Sequence, residues 1–362
     1  MTATHWLRRI NWRKVGIFIV SLFLFILAIQ LLKSGAKVLV PFIKDGLAVR
    51  NAWNALGFGW LFAYLVLSGS PVAATTLFFF DAGAIDKLGA FAMIAGSRFG
   101  ASFIVLALGF VYTLRGHERK GSLSIGLLSL LVTFAIYIPA LIVGYWILQW
   151  RLLDWLHPTA SSSLVSVLDI LFDPIVDGIN GALGAFLSRQ ISQLLVFGLG
   201  FGVLWYSLNL IDHSMPDMKL KESAFGGMSR LLYRPIVTFL LGAGITSITM
   251  SVSVSLSLLV PLSARGYIRR ENVIPYIMGA NITTFVDTLV AALLISNPGA
   301  FTVVLVEMLS VAVVSLIVLL LVYRPYEQVL LHLVELIGQS NRNLGLFLLI
   351  IVAIPVALMF VR

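Results

Sequence analysis

Two serine-rich breaks interrupt long apolar stretches of the sequence. The first is Ser68-Gly-Ser-Pro71, within residues 55–80, and the second is Ser251-Val-Ser253, within residues 235–263. A helix that stops inside a membrane leaves backbone N–H and C=O groups that need protein or water around them. Freed N–H groups suit an anion, freed carbonyls suit Na⁺, and serine hydroxyls can bind either. The alternative is that the small residues only let helices pack closely.

Two ionisable residues lie inside apolar stretches. Arg98 is near the start of residues 88–113, and Asp287 is well inside residues 276–296. An ionisable group at mid-membrane costs about 2.5–3.5 kcal/mol on insertion scales, so it usually faces the protein interior and has a function. Arg98 is a planar donor suited to phosphate or carboxylate, and Asp287 can bind Na⁺ or carry a proton. Alternatively, the two residues pair as a structural bridge, or Arg98 extends to the membrane surface.

The composition predicts that this chain is embedded in a bilayer. Of its 362 residues, 59% are hydrophobic and only 11% are charged. Soluble domains carry about a quarter charged residues. The net charge of +9 comes mostly from Lys and Arg between apolar stretches, which is typical of cytoplasmic loops and not of a nucleic-acid-binding face. We therefore expect an integral membrane protein with the lipid bilayer as a partner and no nucleic acid.

Seven stretches are long enough to cross a hydrocarbon core of about 30 Å as helices. They are residues 15–32, 88–113, 122–149, 191–211, 276–296, 301–323 and 344–361. Basic residues before the first stretch, among them Arg8 and Arg9, predict a cytoplasmic N-terminus by the positive-inside rule.

The order of these stretches predicts two inverted halves. Each half has three spans around one interrupted stretch, which we interpret as a re-entrant hairpin, and 344–361 is an additional C-terminal span. Because three is odd, the second half is inverted. The predicted parts are a first half, 1–150 with hairpin 55–80, an interfacial linker helix, 151–190, and a second half, 191–362 with hairpin 235–263. At an offset of 183 residues, Gly59 superposes on Gly242 and Gly96 on Gly279. The predicted fold is an all-α polytopic membrane protein, an inverted repeat with two re-entrant helical hairpins and about seven full spans.

Each half also carries a serine motif followed 29 residues later by a glycine-containing motif. The second half has Met250-Ser-Val-Ser253 and then Gly279-Ala-Asn-Ile-Thr-Thr284. The first half has Leu67-Ser-Gly-Ser70 and then Gly96-Ser-Arg-Phe-Gly-Ala-Ser102. These motifs resemble those of the type II sodium-phosphate cotransporters and their bacterial relatives, in which Gln-Ser-Ser-Ser precedes Gly-Ala-Asn-Ile-Gly-Thr-Thr. The resemblance covers most of the chain.

The resemblance implies a sodium-coupled symporter of inorganic phosphate or a related small anion, working by alternating access in a prokaryotic plasma membrane. The candidate ligands are the positions that match the motifs, with Arg98 and Asp287 added for their charge: Ser68, Ser70, Ser251, Ser253, Asn281 and Thr284. Na⁺, the coupling ion, would bind at Ser251, Ser253, Asn281 and Thr284. No cofactor and no other metal is expected, and H⁺ is the alternative coupling ion. The family's glutamines are replaced by Leu67 and Met250, so the motifs specify the fold better than the substrate.

Two other functions remain open. Gly96-Ser-Arg-Phe-Gly-Ala-Ser102 faintly resembles a motif of polyprenyl-diphosphate phosphatases, although no glutamate precedes Glu118 to form the acidic motif of such an enzyme. A non-transporting membrane scaffold is the other alternative. A transporter predicts that Ser70, Ser253 and Asn281 converge on a polar cavity, a phosphatase predicts an open groove with acids beside Arg98, and a scaffold predicts hairpin turns packed over apolar side chains.

Overall fold

The computed structural model describes residues 12–46, 49–114, 119–156, 162–214, 234–257, 270–295 and 297–361, which form helices and no strand. The helices of the first part of the chain are α1 (Trp12–Gly35), α2 (Ala52–Val66), α3 (Ser70–Asp81), α4 (Lys87–Leu114), α5 (Arg119–Gln149), α6 (Ser162–Gly184) and α7 (Arg189–Ser214). Those that follow are α8 (Pro235–Thr249), α9 (Val252–Ser257), α10 (Arg270–Thr283), α11 (Val286–Leu294), α12 (Pro298–Leu321), α13 (Tyr323–Gly338) and α14 (Asn341–Met359).

Seven helical segments of the described ranges are long and apolar enough to cross a membrane. They are Trp12–Lys44, Lys87–Val111, Leu123–Gln149, Arg189–Ser214, Glu271–Leu294, Pro298–Leu321 and Asn341–Met359. Each overlaps one of the seven predicted stretches, so the prediction of an all-helical, multi-pass membrane protein is confirmed. The apolar helices α2 and α8 have 15 residues each. At 1.5 Å per residue they extend about 22 Å, which is too short to span the core alone.

The helices form two compact units, and α1, α6 and α7 make up the first. Within this unit α1 packs along α7, and polar side chains join α1 to α6. The Gln30 amide donates to the Asp169 carboxylate at 3.0 Å, and the Asn180 amide donates to the Ser34 hydroxyl at 3.0 Å. Asp169 belongs to the segment that was predicted to be an interfacial linker helix.

The second unit, which contains the remaining helices, is built around two similar helix pairs, α2 with α4 and α8 with α10. At the offset of 183 residues, the bounds of α2 coincide with those of α8, and the first residue of α4 coincides with that of α10. In the first pair, a Cβ at Gly96 would overlap the carbonyl oxygen of Leu56. In the second, a Cβ at Gly279 would overlap the carbonyl oxygen of Phe239, which is Leu56 at the same offset. Glycine is therefore required at both positions because the helix backbones touch there.

Both interrupted stretches are divided into two helices at the serine motifs. Helix α2 is capped by Leu67, with a φ of 53°, and α8 is capped by Met250, with a φ of 52°. These left-handed residues are again 183 positions apart, and each costs strain because neither is glycine. The next helix begins at Ser70 in the first stretch and at Val252 in the second. Residues 258–269, including the end of the second predicted hairpin, lie outside the described ranges.

The other helices of this unit surround the two pairs. Helix α5 packs against α4, α10 and α12, and α12 also packs against α11. A Cβ at Gly144 of α5 would overlap the Phe91 ring of α4 and would lie 2.9 Å from the Ser310 hydroxyl of α12, so these three helices pack closely here. The C-terminal end of α14 is held by Asn54, whose amide donates to the carbonyls of Leu358, Met359 and Val361. The middle of α4 is enclosed by α2, α3, α5 and α12.

Candidate functional site

Arg98 lies in α4 and is buried, with 5% of its surface exposed. Its Nη1 donates to the Thr284 hydroxyl at 3.1 Å and approaches the Ser70 hydroxyl at 3.5 Å, while its Nη2 donates to the Thr288 hydroxyl at 3.0 Å. Nε has no acceptor among the described residues. Three hydroxyls from α3, the α10–α11 junction and α11 therefore surround a buried cation.

Asp287 lies in the first turn of α11, where the positive end of the helix dipole favours a carboxylate. Its Oδ1 accepts a hydrogen bond from the Thr288 hydroxyl at 2.9 Å, and the same hydroxyl accepts from Arg98. No direct ion pair between Arg98 and Asp287 is found in the described ranges. The two charges are thus joined by a relay through one hydroxyl group, and the direct bridge that was the alternative interpretation is not found between these described residues.

The aromatic residues Phe285 and Tyr137 form one wall of this site. The guanidinium carbon of Arg98 lies 4.7 Å from the centre of the Phe285 ring, a cation–π distance. The Tyr137 ring lies 6.2 Å from that of Phe285, and its hydroxyl donates to the backbone oxygen of Asn281 at 3.1 Å. The Asn281 amide donates to Thr133 at 3.2 Å. Asn281 therefore borders the site and has its amide hydrogen directed toward α5.

Glu307 is a buried acid of this region that the sequence analysis did not select. It lies within α12, has 0% of its surface exposed, and interacts electrostatically with Arg98 and Tyr137. Both carboxyl oxygens lack a hydrogen-bond partner among the described residues. A signal was present, because Glu307 is the one charged residue of the apolar stretch 301–323, and such a residue is a functional candidate by default.

The first serine break contributes directly to this site. Ser70 is the first residue of α3, and its hydroxyl contacts Arg98 and interacts with the Asp287 carboxyl group. Gly69 allows this approach, because a Cβ there would lie 2.9 Å from the Ser97 carbonyl oxygen of α4. Ser68 lies in the break and is half-buried. Two serines were predicted here, and Ser70 has a described contact with Arg98.

The second break forms a separate polar cluster around Ser255. The Ser255 hydroxyl accepts from Thr246 at 2.7 Å and lies 2.8 Å from the Tyr276 hydroxyl, and all three residues are buried. Ser251 is half-buried between α8 and α9. Ser253 belongs to α9, but its side chain lies outside the described part of the structure. The described residues thus bring together Ser70, Arg98, Thr284 and Asp287 from the predicted set, and add Thr288 and Glu307.

These positions also bear on the two alternative functions. Leu67 is 58% exposed, whereas a scaffold predicts that this side chain is packed in the hairpin turn. Acids do lie near Arg98, as a phosphatase predicts, but Arg98, Asp287 and Glu307 are all buried. A lipid diphosphate headgroup needs open access from the membrane. The arrangement is better suited to enclosing a small ion.

The side chains gathered here are of types that can bind ions. A guanidinium group with hydroxyls on either side can bind a tetrahedral or planar anion through several hydrogen bonds. The carboxyl groups of Asp287 and Glu307 can bind a proton or a cation. Comparisons of the chain with protein-family models, with curated proteins and with solved structures found no match. The resemblance to sodium-phosphate cotransporters therefore rests on the motifs alone.

Proposed function

We propose that this protein is a secondary active transporter that carries a small anion, with inorganic phosphate as the first candidate, together with a cation. The observation that carries the proposal is the buried Arg98, whose donors meet hydroxyls from α3, the α10–α11 junction and α11. A buried guanidinium in an apolar span is energetically costly, and such a residue usually has a function. An anion that replaced these hydroxyls would supply a full countercharge.

Alternating access by two inverted halves is part of the same proposal. It is supported by the shared helix bounds, the left-handed Leu67 and Met250, and the glycine contacts, all of which recur at one offset. Inverted repeats with broken helices around a central site are a recurrent plan of secondary transporters. In this plan α2–α3 and α8–α9 are re-entrant hairpins, and the N-terminus is cytoplasmic, in a prokaryotic plasma membrane.

The contacts of Thr284 favour an anion at this position over Na⁺. Its hydroxyl oxygen lies 3.1 Å from Nη1 of Arg98, so a Na⁺ bound to that oxygen would face a guanidinium at close range. Repulsion between two such charges is strong in a buried site. We therefore assign Thr284 to the anion, with Ser70 and Thr288. Ser251, Ser253 and Asn281 stay the proposed cation ligands if Na⁺ is the coupling ion.

The test is uptake of radiolabelled phosphate into proteoliposomes with and without an inward gradient of Na⁺ or H⁺. We expect gradient-driven uptake by the wild type and its loss in Arg98→Gln. Removal of a buried, hydrogen-bonded partner of a charged group costs about 2–5 kcal/mol, so the phosphate concentration for half-maximal uptake should rise about 30-fold or more. Arg342→Gln is the matched control, because Arg342 is exposed at the start of α14.

Folding of each variant is checked by gel filtration in detergent, and Asn281→Ala and Ser70→Ala replace Arg98→Gln if that variant does not fold. Equal uptake by Arg98→Gln and Arg342→Gln would show that Arg98 does not bind the anion. A folded wild type that takes up no phosphate under either gradient would overturn the phosphate assignment. Competition with sulfate and small carboxylates would then identify the anion class.

A further inference from the structure

The buried charges of this unit do not balance if every acid is ionised. Among the described residues Arg98 supplies one positive charge, whereas Asp287 and Glu307 supply two carboxyl groups. Nη1 and Nη2 of Arg98 are directed at hydroxyls, and Asp287 accepts from Thr288. Glu307 receives no donor from any described residue. A buried carboxylate without a donor or a direct partner is the least stable charge in such a cluster.

The surroundings of Glu307 leave it few ways to be neutralised. Arg98 of α4 and Tyr137 of α5 interact electrostatically with Glu307. Asp287 of α11 and Ser70 of α3 belong to the same cluster through their interactions with Arg98. Of the other acidic residues on packed helices, Glu271 of α10 and Glu327 of α13 interact with each other near the end of α12, and Asp81 of α3 and Glu335 of α13 are exposed. That end lies about 20 Å along the helix from Glu307. A proton on Glu307 therefore leaves one guanidinium and one carboxylate, and the cluster is then neutral.

We infer that Glu307 is the proton-binding group of this transporter and that anion uptake is coupled to H⁺. This inference rests on the proposed function and names its coupling ion. The Glu307 carboxylate takes one H⁺ from the side on which the anion binds, becomes a neutral carboxylic acid, and returns to the carboxylate when H⁺ leaves on the other side. An anion at Arg98 adds negative charge beside the cluster, so it binds best when Glu307 is protonated. Anion and proton thus stabilise each other in the site.

The isosteric variant Glu307→Gln mimics the protonated acid and cannot release a proton. We expect it to retain phosphate exchange between the two sides of proteoliposomes without a gradient. It should lose the response to an inward pH gradient, which in the wild type gives about tenfold accumulation per pH unit for one proton per anion. Glu271→Gln, at an exposed glutamate of α10, should behave as the wild type. A pH-sensitive dye inside the vesicles reports the accompanying proton movement.

A second measurement does not depend on transport. Protein containing isotope-labelled glutamate should show the infrared C=O stretch of a protonated buried carboxyl near pH 7, and Glu307→Gln should lack that band. Uptake that responds to a Na⁺ gradient but not to a pH gradient, with Glu307→Gln unchanged, would overturn the inference and leave the transporter proposal intact. Failure of phosphate exchange in the wild type would count against the proposed substrate, and the infrared band would then decide the inference. If Glu307→Gln does not fold, the absence of the labelled band in the wild type is the refuting result.

Discussion

The hydroxyl of Thr288 connects the two opposite charges of the site, and its removal should measurably weaken the fold. It accepts a hydrogen bond from Arg98 at 3.0 Å and donates one to Asp287 at 2.9 Å, and all three residues are buried. Hydrogen bonds to charged groups contribute about 1.5–3 kcal/mol each. The variant Thr288→Val keeps the shape of the side chain and loses both bonds. From the lower value for each bond, we expect it to lower the free energy of unfolding by about 3 kcal/mol.

The matched control is Thr76→Val, which makes the same chemical change at another buried site. The Thr76 hydroxyl donates to the Val72 carbonyl within its own helix, at 2.8 Å, and that bond joins two neutral groups. Its loss should cost about 1 kcal/mol. The two variants should therefore differ by about 2 kcal/mol, or about 30-fold in the unfolding equilibrium constant.

The assay is reversible unfolding in mixed micelles as the fraction of denaturing detergent rises, followed by tryptophan fluorescence. The reasoning is refuted if Thr288→Val and Thr76→Val lose the same free energy of unfolding. That result would mean that Arg98 and Asp287 pair directly, or with other partners, once the hydroxyl is gone. A large loss confined to Thr288→Val would support the relay.

Three further predictions can be checked with the same unfolding assay. Gly279→Ala should destabilise the protein by several kcal/mol, or prevent folding, because its Cβ would overlap a carbonyl oxygen of α8. The control Gly202→Ala, with no atom near its Cβ, should be neutral or stabilising by up to about 1 kcal/mol. Leu67→Gly should stabilise by about 1 kcal/mol, because it relieves a left-handed backbone at an exposed side chain, and no gain would contradict the assigned strain. The hydrogen bond from Lys87 lowers the pKa of Asp154 below its ordinary value, with a smaller effect of the neighbouring arginine. A carboxyl with a lowered pKa stabilises the fold above its unfolded pKa. The free energy of unfolding of the wild type should therefore exceed that of Lys87→Met by its full amount near pH 7, and the difference should disappear as the pH falls below about 4. A pH-independent difference would exclude this cause.

The helical fold could be predicted from the sequence because each element depends on local chemistry. Apolar stretches of sufficient length are stable in a bilayer only as helices, so the seven spans follow from composition alone. The breaks at Leu67 and Met250 were visible as Ser, Gly and Pro clusters. The recurrence of Gly96 and Gly279 at one offset was also visible, but the helix contacts that require them were not.

The candidate site was predicted only in part. Arg98, Asp287 and Ser70 stood out because charges and breaks are rare in apolar segments. Thr288 did not, because a threonine in a membrane helix usually has no special role, and its importance comes from Arg98, 190 positions earlier in the chain. Glu307 carried the same signal as Asp287, a charge inside an apolar span, and was not among the predicted site residues.

The order of residues along the chain was enough to predict a multi-pass helical membrane protein with two broken stretches and charged residues inside its spans. Hydrophobicity, length and the backbone preferences of glycine and serine act within a few residues, and they can be read along the chain. The tertiary structure was needed to show which hydroxyls meet Arg98, that Arg98 and Asp287 are joined through Thr288, and that Glu307 has no hydrogen-bond partner among the described residues. Those facts depend on how helices distant in sequence pack together, and packing selects partners by shape and charge across the whole unit.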